Sequence, residues 1–171
     1  MQGSIDCNYT IRPARNEDLE ALVAIHVISW NATYPDHEPK PSKALRLYQW
    51  EKLFAEKKDN WFCYVAETVT GSLAGFVTGH DFNDPILAYK GQLDKIHLLK
   101  QHQRSGLGRK LFMCTVHHFL DHDIHSMILF ADPANAAIQF YDKLGGERLL
   151  DKEGLFQGAF GWKDIRHLVL Q

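Results

Sequence analysis

The chain has 171 residues, of which 45% are hydrophobic and 23% are charged, and its formal net charge is -2. Such a length suits one domain with a single sizeable core, so we expect one globular domain over residues 1–171. The small net charge excludes the broad basic field that is typical of proteins binding nucleic acid or anionic membranes.

Helical and strand-like patterns alternate along the chain. Apolar residues recur at helical spacing after Asn16, which offers an N-cap, and again after Arg104, where the strongest helix is predicted. Three prolines in Asn31–Ser42 predict a loop, whereas Thr70-Gly71 predicts a hairpin turn. The predicted elements, in chain order, are a strand at Tyr9–Arg12, a helix after Asn16, a loop at Asn31–Ser42, a helix at Ala44–Lys57, strands at Trp61–Glu67, Leu73–His80 and Gly91–Leu99, a helix at Arg104–Leu120, a strand at Ser126–Ala131, a helix at Asn135–Leu144 and strand material at Trp162–Leu170. This order predicts an α/β fold, in which helices cover the faces of a mixed β-sheet.

The cysteines and the N-terminus indicate the compartment. The three cysteines, Cys7, Cys63 and Cys114, are odd in number and form no Cys-x-x-Cys pair, which predicts free thiols in a reducing environment. Met1–Glu20 carries no signal-peptide pattern, and the longest nearly apolar run, Ala21–Trp30, is too short to span a bilayer. We therefore expect a cytoplasmic protein with no membrane partner.

A glycine-containing turn between a predicted strand and the longest helix indicates an anion site. Gly106 and Gly108 let backbone N–H groups approach an anion closely, and the N–H groups of a first helical turn lack intrahelical partners. The helix dipole adds about half a positive charge there, and Arg104 and Arg109 add full charges. A Walker loop or a dinucleotide fingerprint fits less well, because Gly-Lys-Ser/Thr is missing and the third glycine is replaced by Leu111. The turn consists of Gln103, Arg104, Ser105, Gly106, Leu107 and Gly108. An ordinary strand-to-helix turn with basic residues in solvent stays open as the alternative.

A second segment, Asn135–Gly146, begins the next predicted helix after an apolar strand. The two segments together resemble the GNAT superfamily of N-acetyltransferases, in which a Q/R-x-x-G-x-G/A turn precedes an N-x-x-A-x-x-F-Y segment. The match departs at Ile138, where the family has a small residue, and at Gly145-Gly146, where Gly-Phe is common. The resemblance spans nearly the whole chain and is most specific between Leu93 and Gly146.

The resemblance implies how acetyl-CoA would bind. The turn from Gln103 to Gly108, together with Arg109, would hold the pyrophosphate, and the pantetheine arm would extend along the strand that ends at Leu98-Leu99. A free backbone N–H there, that of Leu98, would hydrogen-bond the thioester carbonyl as negative charge develops on its oxygen. Asn135 resembles the family residue that contacts the coenzyme, although a plain helix N-cap would give the same pattern.

The resemblance also implies which residues would transfer protons. Tyr141 matches the family's general acid, whose phenol protonates the departing sulfur, whereas an isolated tyrosine on such a face would be a core residue. By the period of a strand, one face carries Gln92, Asp94, Ile96 and Leu98. Only Asp94 on that face can accept a proton, so it would deprotonate the amine directly or through water. The alternative is that Asp94 is a solvated strand residue or an ion-pair partner of Lys95. His97 on the opposite face is a weaker choice.

The family pattern makes the loop after the first helix part of the acceptor pocket. Trp30 and Tyr34 lie there, and aromatic rings at these positions would contact a cation or an alkyl chain of the substrate. Packing against surface helices explains the same two residues equally well.

Four histidines near the end of the long helix raise the question of a metal site. They are His117, His118, His122 and His125. We expect no metal, because ligand-type residues alone do not show convergent geometry, and histidine is an ordinary residue at a helix end.

The predicted function is therefore direct transfer of the acetyl group of acetyl-CoA to an amine by a single GNAT-like domain. The acceptor stays open among a polyamine, another small amine, an amino-acid derivative and a protein or peptide amine. The alternative is a non-catalytic module that binds acyl-CoA as a sensor, and a nucleotide-binding domain is a second rival. Dimers are common in the family, so a homodimer is an expectation by analogy.

Overall fold

The computed structural model of the chain describes residues 9–170. These residues form one seven-stranded sheet, four α-helices and short 3-10 turns. The strands are β1 (Thr10–Pro13), β2 (Phe62–Glu67), β3 (Leu73–Asp81), β4 (Gly91–Leu98), β5 (Met127–Phe130), β6 (Glu147–Leu150) and β7 (Phe156–Trp162). The α-helices are α1 (Leu19–Thr33), α2 (Lys43–Glu56), α3 (Leu107–Asp121) and α4 (Ile138–Lys143). The free thiol predicted at Cys7 lies outside the described residues.

The strands lie in the order β1-β2-β3-β4-β5-β7-β6. Every neighbouring pair is antiparallel except β4 and β5, which are parallel. The predicted mixed sheet with flanking helices is therefore confirmed, and β2 and β3 form the predicted hairpin. No helix in the described part of the chain is long and apolar enough to cross a membrane.

The C-terminal part of the sheet differs from the prediction. The strand expected at Trp162–Leu170 is wrong, because Trp162 ends β7 and Arg166–Leu170 forms a 3-10 helix. β6 was not predicted either, because its residues are mostly exposed and lack an alternating apolar pattern. β6 lies at the edge of the sheet and is held by its ladder to β7, so its conformation depends on a partner strand more than on its own side chains.

Two apolar cores lie on opposite faces of the sheet. On one face, α1 and α2 bury Leu22 and Trp50 against Phe76 of β3. On the other face, α3 buries Leu111 against Val77, the next residue of β3. Successive strand residues point to opposite faces, so the order of residues along β3 and β4 decides which core each side chain enters.

The parallel pair of β4 and β5 separates after two residues. Gly91 pairs with Met127 and Gln92 pairs with Ile128, and the remainder of β4 has no strand partner on that side. On its other side, all four residues of β5 pair with β7. The sheet is therefore open beside the segment Leu93–Leu98, and we call this feature the β4 opening.

Candidate functional site

The backbone of β4 presents unpaired hydrogen-bonding groups to the β4 opening. Leu99 donates its N–H to the Ala74 carbonyl at 3.0 Å, and His97 pairs with Phe76 in the same register. In an antiparallel ladder, alternate residues bond to the partner strand, so the N–H groups of Ile96 and Leu98 point away from β3 and into the opening. Within residues 9–170, nothing accepts a hydrogen bond from the Leu98 N–H. The predicted free N–H at Leu98 thus has the required orientation, whereas that of Leu99 is already bonded.

The side chain of Gln103 closes the end of the strand. Its Nε2 donates to the Leu98 carbonyl at 3.1 Å. This bond satisfies an acceptor at the β4 opening and holds the turn against the strand. Gln103 therefore positions the turn, and its side chain is occupied within the protein.

The predicted anion turn has the backbone geometry of a helix N-terminus. α3 begins at Leu107, three residues later than predicted, after Arg104 with φ 60° and Gly106 with φ 81°. The first backbone bond into this helix runs from Lys110 N–H to the Gly106 carbonyl. The N–H groups of residues 106–109 consequently have no acceptor among the described residues.

The side chains of the turn divide between solvent and core. Arg104, Ser105 and Arg109 are exposed, so both guanidinium groups are available to an anion. The hydroxyl of Ser105 donates to the His102 carbonyl at 2.7 Å and stabilises the turn. Leu107 is 1% exposed in the core under α3, so only its N–H faces the predicted ligand.

Gly108 lies where three elements meet. A Cβ added at Gly108 would be 3.4 Å from the ring of Phe140 in α4 and 3.5 Å from a methyl group of Leu98 in β4. The start of α3, the end of β4 and α4 are therefore in close contact at this glycine. The place of Phe140 beside the anion turn could not be predicted from the sequence.

Tyr141 lies in α4, next to this junction. The residue is 6% exposed, and its ring packs beside those of Phe140 and Phe160. Burial, with a smaller contribution from Tyr34, raises the pKa of the Tyr141 phenol to about 12. No residue in the described range forms a hydrogen bond with its hydroxyl. At neutral pH Tyr141 is therefore a protonated phenol whose hydroxyl is not engaged by the protein.

Asn135 precedes α4 and does not lie within it, because the helix begins at Ile138. Its Oδ1 accepts the Ala137 N–H at 2.8 Å, and the Asn135 carbonyl accepts the N–H of Ile138. These bonds form a turn at the entrance of α4. The N-cap of α4 is Ala137, so the interpretation of Asn135 as the helix N-cap is wrong, and its coenzyme contact stays a prediction.

A β-bulge in β4 changes the predicted faces of the strand. Leu93 pairs with Gly79 and Lys95 pairs with Thr78, so Asp94 is the extra residue. After the bulge, Ile96 and Leu98 pack on the α3 face. The side chain of Asp94 lies on the α1–α2 face, where Thr78 Oγ1 donates to it at 3.4 Å. The prediction that Gln92, Asp94, Ile96 and Leu98 share one face is therefore wrong beyond the bulge.

Asp94 also forms an ion pair with the neighbouring Lys95. Both side chains are partly buried and line a cavity of about 590 Å³ between α2 and the sheet. The cavity is lined by His26, Arg46, Tyr48, Gln49, Trp50, Lys52, Leu53, Glu56, Lys58, Asp59, Trp61, His80, Asp94 and Lys95. We call it the α2 cavity. It places the predicted base at the wall of a chamber large enough for a small molecule.

Trp30 and Tyr34 are close together at the end of α1, with ring centroids 5.1 Å apart. The guanidinium carbon of Arg46, from α2, lies 5.8 Å from the centroid of the Trp30 ring. Tyr34 also contributes to the raised pKa of Tyr141. The structure therefore brings the predicted acceptor loop near Tyr141 and the α2 cavity, and it adds Arg46, which had no motif to reveal it.

Two histidines behind the α2 cavity form a buried polar pair. Trp50 Nε1 donates to His26 Nδ1 at 3.1 Å, and the rings of His26 and His97 are 5.0 Å apart. Ser29 Oγ is 2.7 Å from His97 Nδ1. Burial, reinforced by nearby positive charges, lowers the pKa of His26 to about 3 and that of His97 to about 4. Both imidazoles are therefore neutral at pH 7.

The histidines at the end of α3 form structural contacts. His118 stacks on Phe62 with centroids 3.7 Å apart, and its Nδ1 is 3.0 Å from the Tyr64 hydroxyl. Burial lowers the pKa of His118 to about 4. Across residues 9–170, no group of three or more His, Cys, Asp or Glu side chains is arranged to hold a metal ion.

Residues 19–146 match the family model described as the acetyltransferase (GNAT) family. The uncharacterized N-acetyltransferase YuaI of Bacillus subtilis strain 168 is 30% identical, over 93% of this chain and 95% of that protein.

Solved structures show the same fold at lower identity. The PaiA N-acetyltransferase from Thermoplasma acidophilum, in complex with coenzyme A, has a TM-score of 0.70 at 21% identity, covering 90% of this chain and 98% of that one. The ribosomal-protein-alanine N-acetyltransferase from Brucella melitensis has a TM-score of 0.68 at 23% identity, with 90% and 98% coverage. Because their identities are below 25%, these two likenesses bear on the fold alone.

Proposed function

The chain belongs to the GNAT family of acetyltransferases, and we propose that it transfers the acetyl group of acetyl-CoA directly to an amine bound at the α2 cavity. The observation that carries the proposal is the junction of the β4 opening, the α3 N-terminus and Tyr141. One strand edge offers an unbonded N–H, one helix start offers unbonded N–H groups, and the protonated phenol of Tyr141 follows Phe140, which contacts that helix start.

The fit of coenzyme A to this junction rests on complementary charge and hydrogen bonding. The unpaired N–H groups of residues 106–109 and the exposed Arg104 and Arg109 suit a pyrophosphate. The open edge of β4 suits a pantetheine arm, whose amides bond as an added strand would. In this arrangement Leu107 contributes its N–H only, and Gln103 holds the turn to the strand end.

The acyl transfer is one nucleophilic substitution. The neutral amine nitrogen attacks the thioester carbonyl carbon, a C–N bond forms, and the C–S bond breaks. The nitrogen also releases one N–H proton to water, which replaces the proton that Tyr141 gives to the sulfur, so the products are an amide and the free thiol of CoA. Negative charge develops on the carbonyl oxygen, where the Leu98 N–H stabilises it. The Tyr141 phenol donates a hydrogen bond or a proton to the departing sulfur, and the raised pKa keeps that proton available at neutral pH. Neither buried Cys63 nor Cys114 takes part, since burial raises the pKa of both thiols.

The substrate amine must lose a proton before it attacks. An alkyl ammonium has a pKa of about 10.4, so most of the substrate arrives protonated. We assign this proton to Asp94, directly or through water, because its carboxylate lines the α2 cavity at the bulge. Its ion pair with Lys95 competes with this role.

The test is thiol release from acetyl-CoA with a panel of amines, for wild type and for Tyr141→Phe. We expect the variant to lose about 100- to 10,000-fold in kcat while its affinity for CoA changes little, because Phe keeps the ring and removes only the proton donor. Equal kcat for both proteins would remove Tyr141 from the acid role. Binding of CoA without turnover of any amine would favour the sensor module.

A thermal-shift comparison of CoA, ATP and NAD tests the cofactor separately. A ligand at 100 times its Kd stabilises a protein by about 2.7 kcal/mol, which gives a clear shift in Tm. We expect the shift with CoA. A shift with ATP or NAD and none with CoA would point to the nucleotide-binding alternative and reject the proposed function.

A further inference from the structure

An arginine in the α2 cavity lacks a carboxylate partner. Arg46 is partly buried, its Nη1 donates to the neutral Gln49 Oε1 at 3.1 Å, and its guanidinium lies over the Trp30 ring. Among residues 9–170, no Asp or Glu is within ion-pair distance of it. Burial lowers the pKa of Arg46, which means that the cation has lost water without gaining a counter-charge.

The other charges of the cavity are largely paired. Lys95 binds Asp94, and Glu56 is shared by Lys52 and Lys58. The cavity wall has four cationic and three acidic side chains, so its formal charge is positive by one. One anionic group in a ligand would balance this excess at Arg46.

Positive charge at this wall also extends to β4. Arg46 and Lys95 both contribute to the lowered pKa of His26 and of His97. A purely cationic acceptor such as a polyamine would meet this positive field when it entered. An acceptor with its own anion would be attracted to it.

We propose that the acceptor is an amino carboxylate, whose carboxylate binds the guanidinium of Arg46 and whose amine lies beside Asp94. This inference rests on the proposed function and selects one class from the acceptors that it leaves open. The planar guanidinium suits a carboxylate because two N–H groups can bond its two oxygens in parallel. A carboxylate carries a single charge, which equals the excess of the cavity.

The experiment compares the twenty amino acids with their C-terminal amides and with spermidine, at saturating acetyl-CoA, by thiol release. Each acid and its amide have nearly the same size and shape, but only the acid carries the negative charge. The amine of an amide is less basic and is more often neutral, so intrinsic reactivity favours the amide. A preference for the acid must therefore come from the protein.

We expect at least one amino acid to be acetylated with kcat/KM about 10-fold or more above that of its amide. Arg46→Gln should lower kcat/KM for the acid by about 10- to 100-fold, the range for a hydrogen bond to a charged group, and leave the amide nearly unchanged. Arg46→Lys keeps the positive charge but loses the two parallel N–H groups of the guanidinium. Its kcat/KM for the acid should therefore lie between those of wild type and Arg46→Gln. Lys163→Gln is the matched control, since it removes a cation that is paired with Glu147 and lies outside the α2 cavity, and its preference should equal that of wild type.

Three results would overturn the inference. The first is an equal kcat/KM for acids and their amides, and the second is a higher kcat/KM for spermidine than for any amino acid. The third is that Arg46→Gln lowers kcat/KM equally for acid and amide while CoA still shifts the Tm of the variant as it does that of wild type. In each of them wild type still acetylates an amine, so the proposed function stands. If wild type acetylates no amine at all, the proposed function itself is rejected, and this inference with it.

Discussion

The buried histidine behind the α2 cavity should make the stability of the fold depend on pH. His26 is 4% exposed, and its Nδ1 accepts the indole N–H of Trp50. Protonation of that nitrogen would remove the acceptor and leave two donors facing each other. We therefore predict that His26→Gln, which keeps an acceptor oxygen but does not titrate, flattens the loss of stability between pH 7 and pH 5.

The magnitude follows from the two pKa values of His26. Burial lowers the pKa from 6.5 to about 3, so between these values the unfolded chain binds a proton that the folded protein does not. Protons then favour unfolding, and stability decreases as the pH falls from 6.5 towards 3. A pH of 5 is about 1.5 units below the pKa of the histidine in the unfolded chain, and each unit corresponds to 1.36 kcal/mol. The expected contribution of His26 is about 2 kcal/mol.

The assay is urea denaturation of wild type and His26→Gln at pH 7 and pH 5. We expect the free energy of unfolding to fall by about 2 kcal/mol less in the variant than in wild type. His167→Gln, at an exposed histidine, controls for the substitution itself. If wild type and His26→Gln lose the same free energy between the two pH values, the buried neutral imidazole is not the cause, and the reasoning fails.

Two further substitutions test the coenzyme site and the fold. Gly108→Val should weaken CoA binding about 10-fold, as measured by calorimetry. A Cβ at this position would lie 3.4 Å from Phe140, so the two further methyl groups of valine would separate α3 from α4. An affinity equal to that of wild type would contradict the close contact. Asp18→Asn should lower the free energy of unfolding at pH 7 by about 3 kcal/mol, because the buried Asp18 accepts two bonds from Arg12 and holds a lowered pKa. Glu17→Gln in the same turn is the exposed control, and equal urea midpoints for both variants would rule out this ion pair as a stabilising contact.

Local patterns in the sequence were sufficient for most helices and strands. The apolar spacing after Leu107 produces α3, and Thr70-Gly71 lies in the hairpin of β2 and β3. The glycine turn also follows from local chemistry, since Gly106 adopts a positive φ before the first helical residue. These features depend on residues a few positions apart, and short-range periodicity describes them.

The register of β4 could not be predicted in the same way. A period of two placed Asp94 with Ile96 and Leu98, but the bulge opposite Thr78 and Gly79 reverses the faces beyond it. Whether β4 contains an extra residue depends on its pairing with β3, so the alternation of residues along β4 alone does not predict the bulge. The edge strand β6 was missed for a related reason, because its partner β7 stabilises it.

The sequence by itself determined the family, the order of most elements and the position of the anion turn, because each is encoded by neighbouring residues. Only the tertiary structure decided which side of the sheet Asp94 enters and that β4 has an open edge. Only the packing of α1 against α2 brought Arg46 over Trp30, at positions that no motif connects. The charge recognition proposed at the α2 cavity depends on such contacts, because the burial and pairing of a side chain are properties of its neighbours in space.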